Sequence, residues 1–336
     1  MRYDDDAQLD ASEVTDTRGQ GGGSGSGFGG LGGGGGGGLL PLLIGLLFRG
    51  RSGKVSWVLI VVVVVGFLAV TFLGGGGGQG SSIAGAFGEP GGPAVAGTSE
   101  LAGECRTGAD ANTNPDCAIV ADINSIQAYW AGGGYAQIAP RVRGAQPRYQ
   151  NVDTVFFSGR VNTRCGSADS SSGPFYCPAD DLVYIDLTFY DQLRQQFGAQ
   201  GGPLANAYVL AHEYGHHVQD LLGTMSKVRT QQGRNSDAVR LELQADCYAG
   251  IWTRHATSAE DNGGEPYIVD LTQDDIARAL DAAAAVGDDR IQRRTSGRVD
   301  PDSWTHGSAE SRMRWFTTGM QKGTLRACDT FSTNQL

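Results

Sequence analysis

The sequence predicts an α+β domain carried behind a single N-terminal membrane-spanning helix. Three observations predict it: an uncharged apolar run at 55–73, strand-like segments at 153–158 and 182–189, and helical patterns at 205–222 and 240–252. The chain has 336 residues, enough for one large or two modest domains, and its 53 glycines are unevenly spread. They concentrate at 19–38, 74–80 and 85–97, compositions that read as flexible linker.

The first twenty residues carry Asp4, Asp5, Asp6, Asp10, Glu13 and Asp16 among few apolar side chains, so they read as a disordered acidic arm. Residues 39–48 are apolar but contain Pro41 and fall well short of a bilayer, which suits an interfacial segment. Residues 55–73 match the roughly 20 residues that one transmembrane helix needs. They lie too far from the N-terminus, in too long a run, for a cleaved signal peptide. Arg49, Arg51 and Lys54 precede the run, and no charge follows until Glu89. The positive-inside rule then places the N-terminus in the cytoplasm and everything after residue 73 outside it. The expected layout is therefore an acidic and Gly-rich cytoplasmic arm at 1–54, a transmembrane helix at 55–73, a Gly-rich linker at 74–100 and a folded domain at 101–336.

All six cysteines (Cys105, Cys117, Cys165, Cys177, Cys247 and Cys328) fall after the run, and their number is even. That suits an oxidising compartment and three disulfides, with reduced core cysteines as the alternative. Spacing favours Cys105 with Cys117 and Cys165 with Cys177, each closing a short loop, which leaves Cys247 with Cys328. The net charge of −10, without a basic stripe, gives a nucleic-acid role no electrostatic footing.

Within the domain, residues 118–130 read as a helix. The segment at 182–189 alternates, with Val183, Ile185, Leu187 and Phe189 on one face and Tyr184, Asp186 and Thr188 on the other. Such a strand buries one face. At a sheet edge beside the histidine-bearing helix it would pair with an extended peptide; otherwise it is an ordinary half-buried strand.

The chemistry concentrates in His212-Glu213-Tyr214-Gly215-His216. On a helix, residues four apart share a face, so His212 and His216 can offer two imidazoles to one metal. Glu213 lies about 100° round the helix and reaches a water on the metal's open side. This is the wiring of a zinc hydrolase: two ligands, a carboxylate base, and an ion that lowers the pKa of its water. Gly223 stands where the helix would stop.

A third ligand must come from elsewhere. Asp220 is about 12 Å from His212 along the helix and cannot share its metal. Leu222 occupies the position of a third histidine in the metzincin pattern, which excludes that class. His217 points away from its neighbour, and His255 has no supporting pattern. Glu242 is the best candidate. It lies in a helical segment after a short connection, with Asp246 four residues on to accept the spare N–H of a ligand histidine.

His-Glu-Tyr-Gly-His followed by Glu242-Leu-Gln-Ala-Asp246 resembles the gluzincin arrangement of metallopeptidases. More closely, the region from Cys105 to Trp315 resembles the bacterial predicted neutral zinc metallopeptidases. The stretches that carry this are 173–180, 211–217, 242–247, 288–290 and 305–312. The resemblance implies a zincin-like α+β fold, one catalytic Zn2+, an envelope location and a peptide or protein substrate. It also implies that His306, at a helix entrance beside the N-cap candidate Ser308, hydrogen-bonds the reaction's oxyanion. Arg312 and the pair Asp289-Arg290 suit structural ion pairs better than catalysis.

The combined expectation is a membrane-anchored extracytoplasmic zinc peptidase. His212, His216 and Glu242 hold the ion, Glu213 is the general base, Asp246 orients a ligand and His306 assists. The lipid bilayer is a partner through 55–73. The alternative is a membrane-tethered zinc-containing binding or scaffold protein without peptidase activity.

Overall fold

The computed structural model describes residues 1–19, 96–137 and 148–336. Four strands form a mixed sheet in the order β2-β3-β7-β6, from Val14–Asp16 (β2), Thr154–Phe156 (β3), Leu182–Ile185 (β7) and Phe175–Cys177 (β6). The first three run parallel, with Val14 opposite Thr154 and Thr154 opposite Val183; β6 is antiparallel to β7 and forms the edge. Two further strand pairs lie outside this sheet. Arg2–Tyr3 (β1) pairs with Ile268–Asp270 (β8), and Arg160–Thr163 (β4) forms a hairpin with Gly166–Asp169 (β5).

The helices are Ala96–Glu104 (α1), Pro115–Tyr129 (α2), Phe189–Gln195 (α3), Pro203–Leu221 (α4), Asp237–His255 (α5), Gln273–Ala285 (α6), Asp288–Ser296 (α7) and Ala309–Lys322 (α8). Local chemistry marks their ends. Pro115 and Pro203 open α2 and α4, where a missing N–H costs nothing. Ser236, Thr272 and Ser308 cap α5, α6 and α8 through their hydroxyls. Gly223, with φ of 68°, follows α4 as expected.

The core lies between the sheet and helices α2, α4, α5 and α8. Gly250 and Gly319 let α5 and α8 touch: a Cβ at Gly319 would stand 1.9 Å from the Cys247 carbonyl oxygen, and one at Gly250 would stand 2.0 Å from that of Phe316. That crossing brings Arg312 beside Asp246.

Three sequence expectations are corrected. First, residues 1–19 are not a disordered arm. Tyr3, Ala7, Ala11 and Val14 are buried, three or four residues apart among the acidic residues that conceal them. Two asparagines grip the arm. Asn112 takes both the N–H and the C=O of Tyr3, and Asn124 does the same at Asp10. The Tyr3 hydroxyl donates to buried Asp122, and Arg18 pairs with Asp16 and Asp116. The acids mostly satisfy local donors, as where Asp10 accepts from the Ser12 N–H.

Second, the domain takes in residues 1–19 and resumes at Ala96, where α1 packs on β2. The expected span at 55–73 lies outside the described residues, among which no helix is long and apolar enough to cross a membrane.

Third, β7 is shorter than expected and interior, and both its faces are covered. Val183 and Ile185 join the main core, while Tyr184 packs with Val155, Phe157 and Phe175 beneath the hairpin. Phe189 begins α3 instead of continuing the strand.

The six cysteines form three disulfides: Cys105–Cys117, Cys165–Cys177 and Cys247–Cys328. The last ties the middle of α5 to the C-terminal segment.

Candidate metal centre

Helix α4 presents its motif to three neighbours at once. His212, Glu213 and His216 face a cavity, Tyr214 anchors the helix to the sheet, and Gly215 faces α5. The Tyr214 hydroxyl meets Thr154 Oγ1 at 2.9 Å and donates to the Val152 carbonyl. A Cβ on Gly215 would stand 3.1 Å from both the Cα and the carbonyl oxygen of Ala245. The bare glycine therefore lets α5 lie close enough for Glu242 to reach the histidines.

His212, His216 and Glu242 are buried, with their ligand atoms within 4.8 Å of one another. Glu242 Oε2 lies 3.1 Å from His212 Nε2 and 3.5 Å from His216 Nε2. Ligands bound tetrahedrally at about 2.0–2.1 Å stand roughly 3.3 Å apart, so these separations suit one zinc-sized ion. The second oxygen, Glu242 Oε1, is buried without a hydrogen-bond partner, as expected of an atom meant for a cation. The residues present fit the metal that their spacing implies.

The other histidine nitrogens are already committed. His212 Nδ1 donates to Asp246 Oδ1 at 2.8 Å, and His216 Nδ1 to Gln219 Oε1 at 2.9 Å, which directs each Nε2 to the common point. Asp246, fully buried, also accepts from the Tyr208 hydroxyl at 2.5 Å and from Arg312 Nε and Nη2 at 2.9 and 3.0 Å. Burial pushes its carboxyl up, but the Arg312 guanidinium and His212 outweigh that and hold it near 2. Gln219 is fixed in turn by the Leu241 carbonyl and Gln244.

Glu213 is buried beside the cluster, and its Oε2 accepts the backbone N–H of Tyr176, on edge strand β6, at 3.1 Å. Burial raises its carboxyl above the ordinary value, against the opposing pull of His212 and His216. His306 approaches from the loop before α8, with Nε2 3.9 Å from Glu242 Oε2. Its Nδ1 meets Thr305 Oγ1 at 2.9 Å and lies 3.8 Å from Asp288 Oδ1. Asp288 Oδ2 also accepts the backbone N–H groups of Thr305, His306 and Gly307, so one carboxylate shapes the whole loop. Burial lowers the His306 pKa, but Glu242 and Asp288 overcome that and raise it.

The other candidates separate. Asp220 accepts from the Tyr176 hydroxyl and stays out of the cluster. His217 is buried, between the Gln150 carbonyl and the Tyr176 hydroxyl, and burial lowers its pKa. His255 stacks on Tyr129, ring centroids 5.2 Å apart. Arg312 is the expected ion pair, and Asp289 accepts the Ala309 N–H at the start of α8. Sequence reasoning missed Tyr208, Gln219 and Asp288. Tyr208 and Gln219 do lie one helical turn from a ligand histidine, at i−4 from His212 and i+3 from His216, which was the available signal.

A mixed α/β fold with two histidines and a glutamate around one point, beside a buried carboxylate outside that trio, is the arrangement of the zinc peptidase class. A sequence profile described as "Putative neutral zinc metallopeptidase" matches residues 1–331, and the chain belongs to that family. The match includes the N-terminal arm, in accord with its place in the fold. The chain is 49% identical over 235 residues to an uncharacterized protein of Mycobacterium tuberculosis H37Rv, covering 69% of this chain and 76% of the other. It is 47% identical over 189 residues to the uncharacterized protein YpfJ of Escherichia coli K12, covering 54% of this chain and 62% of the other. No solved structure matches.

Proposed function

We propose that this chain hydrolyses peptide bonds outside the cytoplasm as a zinc-dependent peptidase, with His212, His216 and Glu242 as the ligands and Glu213 as the general base. The observation that carries this is the open side of the centre. Three protein ligands converge, and the cavity that they line is shared by Glu213 and His306. A structural site closes with four protein ligands and needs no base. When bound there, zinc supplies Lewis acidity and lowers the pKa of the attacking water.

The rest falls to this chain's own groups. Glu213 is held at Oε2 by the Tyr176 N–H, so the carboxylate is fixed facing the cavity. It takes the proton of the attacking water and delivers it to the leaving amine. His306, held at Nδ1 by Thr305, offers Nε2–H to the oxyanion of the tetrahedral carbon. Asp246 and Gln219 keep the histidine rings in register.

The three disulfides support an oxidising compartment. Membrane attachment through residues 55–73, with the arm and the rest of the domain on the same extracytoplasmic face, is part of the proposal.

The test is Glu213→Gln. It should bind zinc with unchanged stoichiometry and lose peptide hydrolysis by at least about a hundredfold, the usual scale of a general base. Digestion of a peptide library should stop with chelator and return with zinc. Normal turnover by the variant would overturn the assignment of the base, and a zinc-loaded wild type that cuts nothing would overturn the peptidase reading.

A further inference from the structure

We propose that the cavity beside the metal centre selects a substrate residue with one large apolar side chain, such as leucine or phenylalanine, next to the bond that is cut. This rests on the peptidase reading. The cavity holds about 180 Å3 and divides into two ends. The metal end carries every charged group of its lining: Glu213, Glu242, His212, His216, His306 and Arg312. The other end is walled by Phe189 and Leu193 of α3, Phe197 just past α3, Val209 of α4, Val286 just past α6 and Ile291 of α7.

Three features make this end a binding pocket. Phe197, Val286 and Ile291 remain only half-buried, so apolar surface inside the concavity is left for an occupant. Val209 lies one turn before Glu213 on α4, which places the pocket one turn, about 5 Å, from the base. An apolar cavity of about 150 Å3 holds one benzene, and the 180 Å3 here include the metal end, so the apolar end has room for one ring or one branched aliphatic side chain at most.

Charge complementarity excludes the alternatives. An acidic or basic side chain would lose its hydration among apolar walls without a partner, because Arg312 is committed to Asp246 and the glutamates stand at the metal end. A small side chain would leave the walls uncovered. The rest of the lining includes the polar side chains of exposed Ser171 and half-buried Ser172 and Gln192, which suit the passing peptide backbone.

The experiment is digestion of an unbiased peptide library by the zinc-loaded protein, with cleavage sites read by mass spectrometry. One position adjoining the cut should be enriched in Leu, Phe, Ile and Met over Ala by roughly tenfold to a hundredfold, the worth of burying such a side chain. Val286→Phe fills the pocket and should shift the preference at that position toward Ala and Ser; Phe197→Ala enlarges it and should favour Phe over Leu. Binding is read apart from turnover in Glu213→Gln, where a Leu-containing dipeptide amide should shift the methyl resonances of Leu193, Val209 and Ile291, and its Ala counterpart should not. Cleavage without apolar enrichment, or with a preference that neither variant alters, overturns this inference and leaves the peptidase reading intact. Absence of any cleavage overturns the peptidase reading, while the methyl shifts still decide whether the pocket binds.

Discussion

Asp246→Asn separates the two tasks of the most heavily bonded carboxylate in the centre. Asp246 accepts from His212, Tyr208 and, twice, Arg312, with no exposure to water. Asparagine keeps the shape and one acceptor oxygen, so His212 and Tyr208 can still be served. Its NH2 group, however, takes the place of the Oδ2 that accepts from Arg312 Nε, and the buried guanidinium is left without a counter-charge. Breaking one partner of a buried pair costs about 3–5 kcal/mol, a third or more of a typical domain's stability. Losing the anion behind His212 should also weaken metal binding by about 10- to 100-fold.

Urea unfolding with zinc chelated reads the first effect, and competitive titration against a zinc indicator reads the second. The double variant Asp246→Leu/Arg312→Met then removes the pair as a unit. Replacing a buried ion pair with apolar groups is often neutral, but the Tyr208 hydroxyl and His212 Nδ1–H lose their acceptor, so stability should recover only part of the loss of the single variant. Zinc affinity should stay low, because His212 Nδ1 still lacks its acceptor. If the double variant recovers both, Asp246 serves the fold alone and its positioning role is wrong. If Asp246→Asn loses less than about 1 kcal/mol, the pairing with Arg312 is worth little.

Three further outcomes follow from other parts of the fold. A membrane-impermeant maleimide applied to intact cells should label cysteines placed at exposed Asp6 and exposed Glu310 alike, since arm and body form one fold; labelling at Glu310 alone would refute this. Burial, with Asp10 adding to it, pushes the Glu13 carboxyl up to about 7 against the hydrogen bonds of Asn124, Gln127 and Asn151. The folded state therefore holds that proton more tightly than the unfolded one, so the contribution of Glu13 to stability is full below about pH 4.5 and is lost as pH rises through 7. Glu13→Gln should accordingly stabilise the protein more at pH 8 than at pH 5 in urea unfolding. Gly215→Ala sets a helix-propensity gain of about 1 kcal/mol against contacts at 3.1 Å with Ala245, for which overpacking costs about 1–3 kcal/mol. Net destabilisation and weaker zinc binding should result, and a variant that binds zinc as wild type would show that the helices separate freely.

The features legible in the sequence were those whose geometry is local. His212 and His216 share a face because a helix repeats every 3.6 residues, and Glu242 with Asp246 repeats that logic on the next helix. The disulfides followed from even number and spacing. What stayed hidden depends on packing between distant segments. Asp288 shapes the His306 loop from the start of α7, and nothing in its own helix marks it for that role. The edge strand beside the metal helix is β6, whose three residues form too short a run to outweigh the longer alternation at 182–189.

The arm is the largest case, and its reason is physical. A segment with many acids and few apolar groups reads as disordered when each residue is weighed alone. Here the order is supplied from outside, by Asn112 and by Asn124 of α2, by β3 alongside β2, and by β8 alongside β1. Each supplies backbone hydrogen bonds that the arm's own sequence does not announce. Composition measures what a segment can bury by itself, and it is silent on surfaces that the rest of the chain keeps ready. Once the arm is fixed to the body of the domain, its position is set by the same contacts that place the metal helix.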